Sequence, residues 1–193
     1  AWAICIIIMG QLFDLFDGRM ALKHGGTKYG PYMDDVADFV SFGLAPAYIV
    51  VEKGGGTIAW IIGIIYVAGV AFRLIRFVVV DKKRDDLPEG VFSGFPSPAG
   101  ALLVLGTSLV LPPPGLWAAT VVSVAIMVSQ IRFAHFGRIM LKEIPKPVFF
   151  VLSSGVIVTL AFIFKTKNAQ IFGFLILVTV IGYLISGWLW LRR

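Results

Sequence analysis

Two pairs of aspartates have the residue type and spacing of a metal-binding site. Asp14 and Asp17 are three residues apart, and Asp34 and Asp38 are four apart, so within helices the members of each pair lie on one face. Asp35 points about 100° away from Asp34, and we do not expect it to be a ligand. Four carboxylates that meet across a helical hairpin repel one another unless cations lie between them. We expect hard divalent ions such as Mg²⁺ or Mn²⁺, which prefer oxygen ligands.

Small residues accompany the aspartates. Gly18 follows Asp17 directly, Gly30 precedes Asp34 by four residues, and Ala21 lies on the same side as Asp17 and Gly18. Residues without bulky side chains allow a ligand or a neighbouring helix to approach the backbone closely. We therefore place a candidate active site at about residues 14–38.

The composition indicates that a membrane surrounds the elements that position these residues. Of the 193 residues, 58% are hydrophobic and only 15% are charged, which is too few charges for the surface of a soluble domain of this size. The single cysteine, Cys5, excludes a disulfide framework. Although the net charge is +6, the basic residues are dispersed between apolar blocks, so we do not expect a nucleic-acid partner.

The apolar blocks predict an all-α fold, a polytopic bundle of about seven transmembrane helices that forms one domain over residues 1–193. Each block is too long for a membrane strand and lacks alternating polarity. Glycines 54–56 and prolines 112–114 separate neighbouring blocks. The predicted helices cover residues 1–22, 32–51, 57–80, 98–111, 116–133, 147–164 and 170–191.

The distribution of basic residues predicts the orientation of this bundle. When the seven blocks alternate across a bilayer, 14 of the 17 lysines and arginines fall on one side and 3 on the other. The positive-inside rule places the basic side in the cytoplasm. The opposite side carries only Lys53, Lys165 and Lys167. Because the aspartate pairs lie on the basic side, we expect an integral membrane protein whose active site faces the cytoplasm.

The aspartate segments resemble the signature of the CDP-alcohol phosphotransferase family. The sequence DLFDGRMA at 14–21, followed by GPYMDDVAD at 30–38, is similar to the family pattern D-x2-D-G-x2-A-R, a spacer, then G-x3-D-x3-D. The chain departs from that pattern at Leu22, where the family has arginine. Family members usually carry one more helix before the aspartates. Because this chain opens at Ala1 inside an apolar stretch, we expect an N-terminal segment to be missing, not a cleaved signal.

Four further segments resemble the phosphatidylserine synthase branch of the family. They are DFVSFGLAPA at 38–47, RLIRF at 73–77, FSGFPSPA at 92–99 and MVSQIRF at 127–133. The resemblance implies that CDP-diacylglycerol and L-serine are converted to phosphatidylserine and CMP. It also implies a bacterial or archaeal cytoplasmic membrane, contacts with membrane lipids, and a homodimer.

The resemblance further implies roles for the predicted site residues. Asp14, Asp17 and Asp34 would hold two divalent ions, Mg²⁺ or Mn²⁺. Asp38 would be the general base for the serine hydroxyl and would also touch the second ion. The nucleotide would lie against Asp17, Gly18, Ala21 and Gly30.

Four other residues are candidates for substrate binding. Arg73 and Arg76 lie three residues apart at the cytoplasmic end of the third block, where each is either a membrane-topology anchor or a clamp for the serine carboxylate or the substrate phosphate. Ser97 either shapes the start of the fourth helix or lines the alcohol pocket. Arg132 is likewise either a membrane-topology anchor or a ligand for the substrate.

Three alternatives remain open from the sequence. An acceptor such as glycerol phosphate or inositol phosphate would keep the family and change the branch. A cation transporter could use the carboxylates as a transit site, although transporters usually place such charges near the bilayer midplane. An inactive membrane scaffold would be consistent with Leu22.

Overall fold

The computed structural model describes residue 7 and residues 29–80, 91–134 and 168–191. Within these ranges the chain is almost entirely helical, as predicted. The predicted helices 1–22 (apart from Ile7) and 147–164 lie outside the described residues. The described elements are α1 (Gly30–Asp38), a π-helix (Phe39–Leu44), α2 (Ala45–Gly54), α3 (Gly56–Val79), β1 (Val91–Ser93), α4 (Ser97–Val110), α5 (Pro113–Val128), β2 (Arg132–Ala134) and α6 (Ala169–Leu191).

The predicted second helix is present but contains a change of winding. It runs without interruption through α1, the π-helix and α2. Proline is tolerated in the first turn of α1, since the first amide groups of a helix have no partner within it. The element ends where Gly55 and Gly56 adopt φ angles of 64° and 68°, a region that favours glycine.

Helix α3 returns antiparallel to α2 and is long enough to cross a bilayer. Its 24 residues correspond to about 36 Å. Among the described helices it is the one that meets the length and composition of a membrane span by itself, while α4, α5 and the described part of α6 are shorter apolar helices. The close approach to α2 depends on Gly63, whose added Cβ would lie 3.0 Å from Val51 Cγ2.

The predicted helix over 116–133 was wrong at both ends. Helix α5 begins at Pro113. Proline is favourable there, because the N–H that it lacks would have no partner within the first turn of a helix. The helix ends at Val128, and residues 132–134 form β2, which pairs antiparallel with β1. The apolar side chains of Ile131 and Phe133 extended the hydrophobic run beyond the helix, so hydropathy alone placed the boundary too late.

The interior of the bundle contains hydroxyl groups, whereas its exterior is apolar. Thr107, Thr120 and Ser108 are buried, and each donates to a carbonyl of its own helix. Serine and threonine can satisfy themselves in this way without water. On α3, by contrast, Ile64 is 64% exposed and Ile75 is 63% exposed. A continuous apolar exterior of this kind is typical of proteins that contact lipid.

Helix α6 packs closely against α4 through a glycine contact. A Cβ added to Gly173 would lie 2.7 Å from Leu109 Cβ and 2.9 Å from the carbonyl oxygen of Gly106. Beside this contact, Phe172 and Ile176 join Leu105 in a buried apolar cluster. The last described helix is therefore part of the same core as α4.

Candidate active site

Helix α1 presents two of the four predicted metal ligands. Asp34 and Asp38 lie one helical turn apart on it, and Gly30 is its first residue. Asp34 is exposed, whereas Asp38 is partly buried, with its Oδ1 atom inaccessible to solvent. Asp35 is also partly buried, but it is offset from Asp34 by about 100° around the helix.

The donor chemistry of this face fits a hard divalent cation. Two carboxylates on one helix face can supply oxygen ligands to Mg²⁺ or Mn²⁺. The described residues contain no group of three or more potential metal-ligating side chains. The other predicted residues of the site (Asp14, Asp17, Gly18 and Ala21) lie outside the described ranges, so their position relative to α1 stays a prediction.

The antiparallel pairing of α3 with the π-helix places Arg73 near the level of Asp38. The hydroxyl of Tyr66 donates to the carbonyl of Phe42 at 2.9 Å, and one turn further along α3 Val70 lies against Gly43. Going one more turn towards the end of α3 reaches Arg73, while going back one turn from Phe42 reaches Asp38. The two residues therefore lie at a similar height in the bundle.

Arg73 is the buried charged side chain of this region. It is 4% exposed, its Nε donates to the carbonyl of Phe95 at 3.4 Å, and its guanidinium lies 5.3 Å from the centroid of the Phe77 ring. The hydrogen bond is long, so it is weak. A guanidinium can bind a carboxylate or a phosphate through two parallel, charge-assisted hydrogen bonds.

Arg76 contacts the backbone at the end of a neighbouring helix. Its Nη1 donates to the carbonyl of Val128 at 2.7 Å. Its Nη2 donates to the carbonyls of Ser93 at 2.7 Å and of Met127 at 3.1 Å. The last carbonyls of a helix have no partner within it and carry partial negative charge, so Arg76 caps α5 and ties it to β1.

The segments 92–99 and 127–133 meet at this cap. In the two-stranded sheet Ser93 pairs with Arg132, and the Arg132 side chain is exposed. Gly94 follows with φ of 83°; a Cβ there would overlap Arg76 Nη2 and the carbonyl oxygen of Met127. The glycine is therefore required by the cap.

Ser97 is the first residue of α4 and is 3% exposed. Pro96 precedes it as the N-cap in an extended conformation, which fits the expected turn into the fourth helix. Burial of Ser97 does not show whether it contacts an alcohol, so its role in an alcohol pocket stays a prediction.

Tyr66 was missed by the sequence reasoning. It is fully buried, and its hydroxyl donates to the carbonyl of Phe42 in the π-helix, the element that follows Asp38. The signal was Pro46, which has no N–H for the carbonyl four residues before it, that of Phe42. Nothing in the sequence, however, indicated that a tyrosine on the next helix would supply the missing donor.

Comparisons with known proteins agree with the predicted family. A family model described as CDP-alcohol phosphatidyltransferase matches residues 1–136. The chain is 38% identical over 102 residues to the CDP-diacylglycerol–serine O-phosphatidyltransferase of Methanocaldococcus jannaschii, covering 52% of this chain and 47% of that protein.

Proteins with the same name from other organisms are also similar. The chain is 31% identical over 147 residues to the one from Mycobacterium leprae, covering 73% of this chain and 49% of that protein. It is 30% identical over 150 residues to the one from Helicobacter pylori strain 26695, covering 71% of this chain and 62% of that protein. The chain thus spans about half the length of the first two relatives. The match to the family model covers most of the chain, and the chain belongs to the CDP-alcohol phosphatidyltransferase family.

Proposed function

We propose that the protein transfers a phosphatidyl group from CDP-diacylglycerol to L-serine, giving phosphatidylserine and CMP. The observation that carries this proposal is the acidic helix α1, with Asp34 and Asp38 one turn apart, within the region matched by the family model. The serine acceptor is supported by the names of the relatives and by the four branch-like segments of the sequence.

Asp38 is the general base in this proposal. Its carboxylate takes the proton of the serine hydroxyl while the hydroxyl oxygen bonds to the phosphatidyl phosphorus, and the bond from that phosphorus to the CMP oxygen breaks. The proton then passes to water. Two bound divalent ions, held by Asp14, Asp17, Asp34 and Asp38, would neutralise the diphosphate and the departing CMP.

The remaining site residues bind and orient the substrates. Gly18, Ala21 and Gly30 leave room for the nucleotide, and Arg73 binds the serine carboxylate or the lipid phosphate. The height that Arg73 shares with Asp38 and its burial support this assignment. Ser97 would line the alcohol pocket beside it. Arg76 and Arg132 are weaker candidates, because Arg76 caps α5 and Arg132 is exposed.

The proposed setting is a cytoplasmic membrane of a bacterium or archaeon, with the active site facing the cytoplasm and a homodimer as the functional form. Lys53 precedes the start of α3 and Arg76 lies in its last turn, so the two cations are at opposite ends of a span. The excess of basic residues on the Arg76 side supports a cytoplasmic location for that side.

The test is CMP release from CDP-diacylglycerol by the purified protein in detergent. L-serine, glycerol phosphate and inositol phosphate are supplied separately, each with Mn²⁺, with Mg²⁺ or with EDTA. The proposal predicts release that requires both serine and a divalent ion. Release with glycerol phosphate or inositol phosphate instead would overturn the choice of acceptor. If no CMP is released with any of the three acceptors, the result would support an inactive scaffold.

A further inference from the structure

The helical element that carries Asp34 and Asp38 changes its winding directly after Asp38. Residues Phe39–Leu44 form a π-helix, in which the N–H of Ala45 donates to the carbonyl of Val40, five residues back. Single π-turns within α-helices are rare and frequently occur at functional sites. They contain one more residue than the equivalent α-helical turn, so the residues before them are rotated relative to those after them.

Pro46 explains why the regular winding fails here. In an α-helix the N–H of residue 46 would donate to the carbonyl of Phe42, but proline has no N–H. Phe42 is 2% exposed, so its carbonyl is shielded from bulk water. In a membrane protein, neighbouring helices and local π-turns supply the hydrogen bonds that proline removes.

Tyr66 supplies the missing donor from the next helix. Its side chain is fully buried, and its hydroxyl donates to the Phe42 carbonyl at 2.9 Å. One turn along α3, a Cβ added to Gly43 would lie 3.3 Å from Val70 Cγ1. The π-helix is thus held against α3 by a hydrogen bond and by a close apolar contact on successive turns.

We propose that Tyr66 is a positioning residue for the acidic helix, because its hydrogen bond to Phe42 maintains the π-helical register that orients Asp34 and Asp38. If the segment relaxed to α-helical winding, α1 would rotate by about 100° relative to α2 and α3. Both carboxylates would then turn away from their present direction. The catalytic consequence rests on the proposed function, since it assumes that these two aspartates bind metal and accept the serine proton.

The central variant is Tyr66→Phe, which removes only the hydroxyl, and its matched control is Tyr48→Phe on α2, where the tyrosine is 65% exposed. We expect Tyr66→Phe to lower kcat for CMP release by about tenfold to a hundredfold with little change in the KM for serine. Binding of Mn²⁺ to the metal-free protein, followed by electron paramagnetic resonance, should weaken in the same variant. Tyr48→Phe should match the wild type in each assay.

A second substitution tests the cause of the effect. Pro46→Ala restores an N–H that can donate to the Phe42 carbonyl, so the hydroxyl of Tyr66 is no longer the main donor for that group. We therefore expect Tyr66→Phe to lower the unfolding temperature in the wild-type background and to have little further effect in the Pro46→Ala background. Equal losses in both backgrounds would show that Tyr66 does not replace the donor removed by Pro46, and would overturn the inference.

The activity readouts separate this inference from the proposed function. A Tyr66→Phe variant with wild-type kcat and wild-type Mn²⁺ affinity would overturn the positioning role, whatever its unfolding temperature. A wild-type protein that neither releases CMP with any acceptor nor binds Mn²⁺ would overturn the proposed function, and the positioning role with it. A wild type that binds Mn²⁺ but releases no CMP would overturn the function alone, and the Mn²⁺ affinity of Tyr66→Phe would then decide the inference.

Discussion

Arg73 and Arg76 lie on the same face of α3, but their side chains have different surroundings. Arg73 is buried beside Phe77 and Phe95. Arg76 donates to three backbone carbonyls where α5 ends. The shared spacing therefore does not imply a shared role, and the two arginines give separate predictions.

Substitution of Arg76 should affect stability more than substrate binding. In Arg76→Met the carbonyls of Ser93, Met127 and Val128 lose their charged donor, so we expect the free energy of unfolding to fall by about 2 kcal/mol. Thermal unfolding in detergent measures this loss. The control is Arg132→Met, an exposed site where a change within about 0.5 kcal/mol is expected. Equal losses in the free energy of unfolding from the two substitutions would contradict the role of Arg76 as a cap of α5.

Substitution of Arg73 should affect substrate binding. Arg73→Lys keeps the charge but loses the planar fork that binds a carboxylate through two hydrogen bonds. We expect the KM for serine or for CDP-diacylglycerol to rise by about tenfold, which corresponds to about 1.4 kcal/mol, in steady-state kinetics on folded protein. If both constants are unchanged, Arg73 has no contact with substrate.

At the scale of elements, the long apolar runs predicted most of the described helices well, because hydropathy reports burial in lipid or protein directly. The second, third, fourth and seventh predicted helices agree with the described structure to within a few residues. Hydropathy failed where an apolar run continued into β2, since a strand against the bundle is as apolar as a helix. It also could not reveal the π-helix, which depends on Pro46 meeting a donor from a distant part of the chain.

The site was predictable in part for a related reason. The spacing of Asp34 and Asp38 fixes their shared face once a helix forms, so α1 could be anticipated from sequence alone. The capping contact of Arg76 could not, because its acceptors are backbone carbonyls of a helix that begins 37 residues later in the chain. Backbone acceptors leave no trace in side-chain patterns.

The contact between α4 and α6 gives a prediction at the element scale. In Gly173→Ala the new methyl group would overlap Leu109 and Val110, and we expect a loss of about 2 kcal/mol in the free energy of unfolding. The control lies on the same helix: a Cβ at Gly182 meets no described atom within 4 Å. Gly182→Ala should be neutral or stabilising, because alanine favours helix. A smaller loss in Gly173→Ala than in Gly182→Ala would contradict the packing.

In the described part of the molecule, an apolar core includes a few buried hydroxyl groups and the exterior of the helices is largely apolar, which suits a protein that associates with a membrane. Exposed isoleucines follow α3 along its length, while hydroxyl groups are turned inward on α4 and α5. The distribution of basic residues in the sequence predicts which end of the bundle faces the cytoplasm. This orientation is a prediction about the entire chain, because it depends on all the spans alternating.

The orientation can be measured by cysteine labelling. In a Cys5→Ser background, Lys53→Cys and Arg132→Cys each introduce one thiol, and the two positions lie at opposite ends of the bundle. A membrane-impermeant maleimide applied to intact cells should label Lys53→Cys, whereas Arg132→Cys should react only in inverted vesicles. Labelling of both variants from the same side would contradict the proposed topology.

The most direct test of the central claim is a comparison of two neighbouring carboxylates on α1. Purified Asp38→Asn and Asp35→Asn proteins are assayed for serine-dependent CMP release with Mn²⁺, beside the wild type. If Asp38 is the general base, its substitution should lower kcat by about a hundredfold to ten-thousandfold, while Asp35→Asn, which faces another direction, should remain active. Activity in Asp38→Asn equal to that of Asp35→Asn would contradict the account.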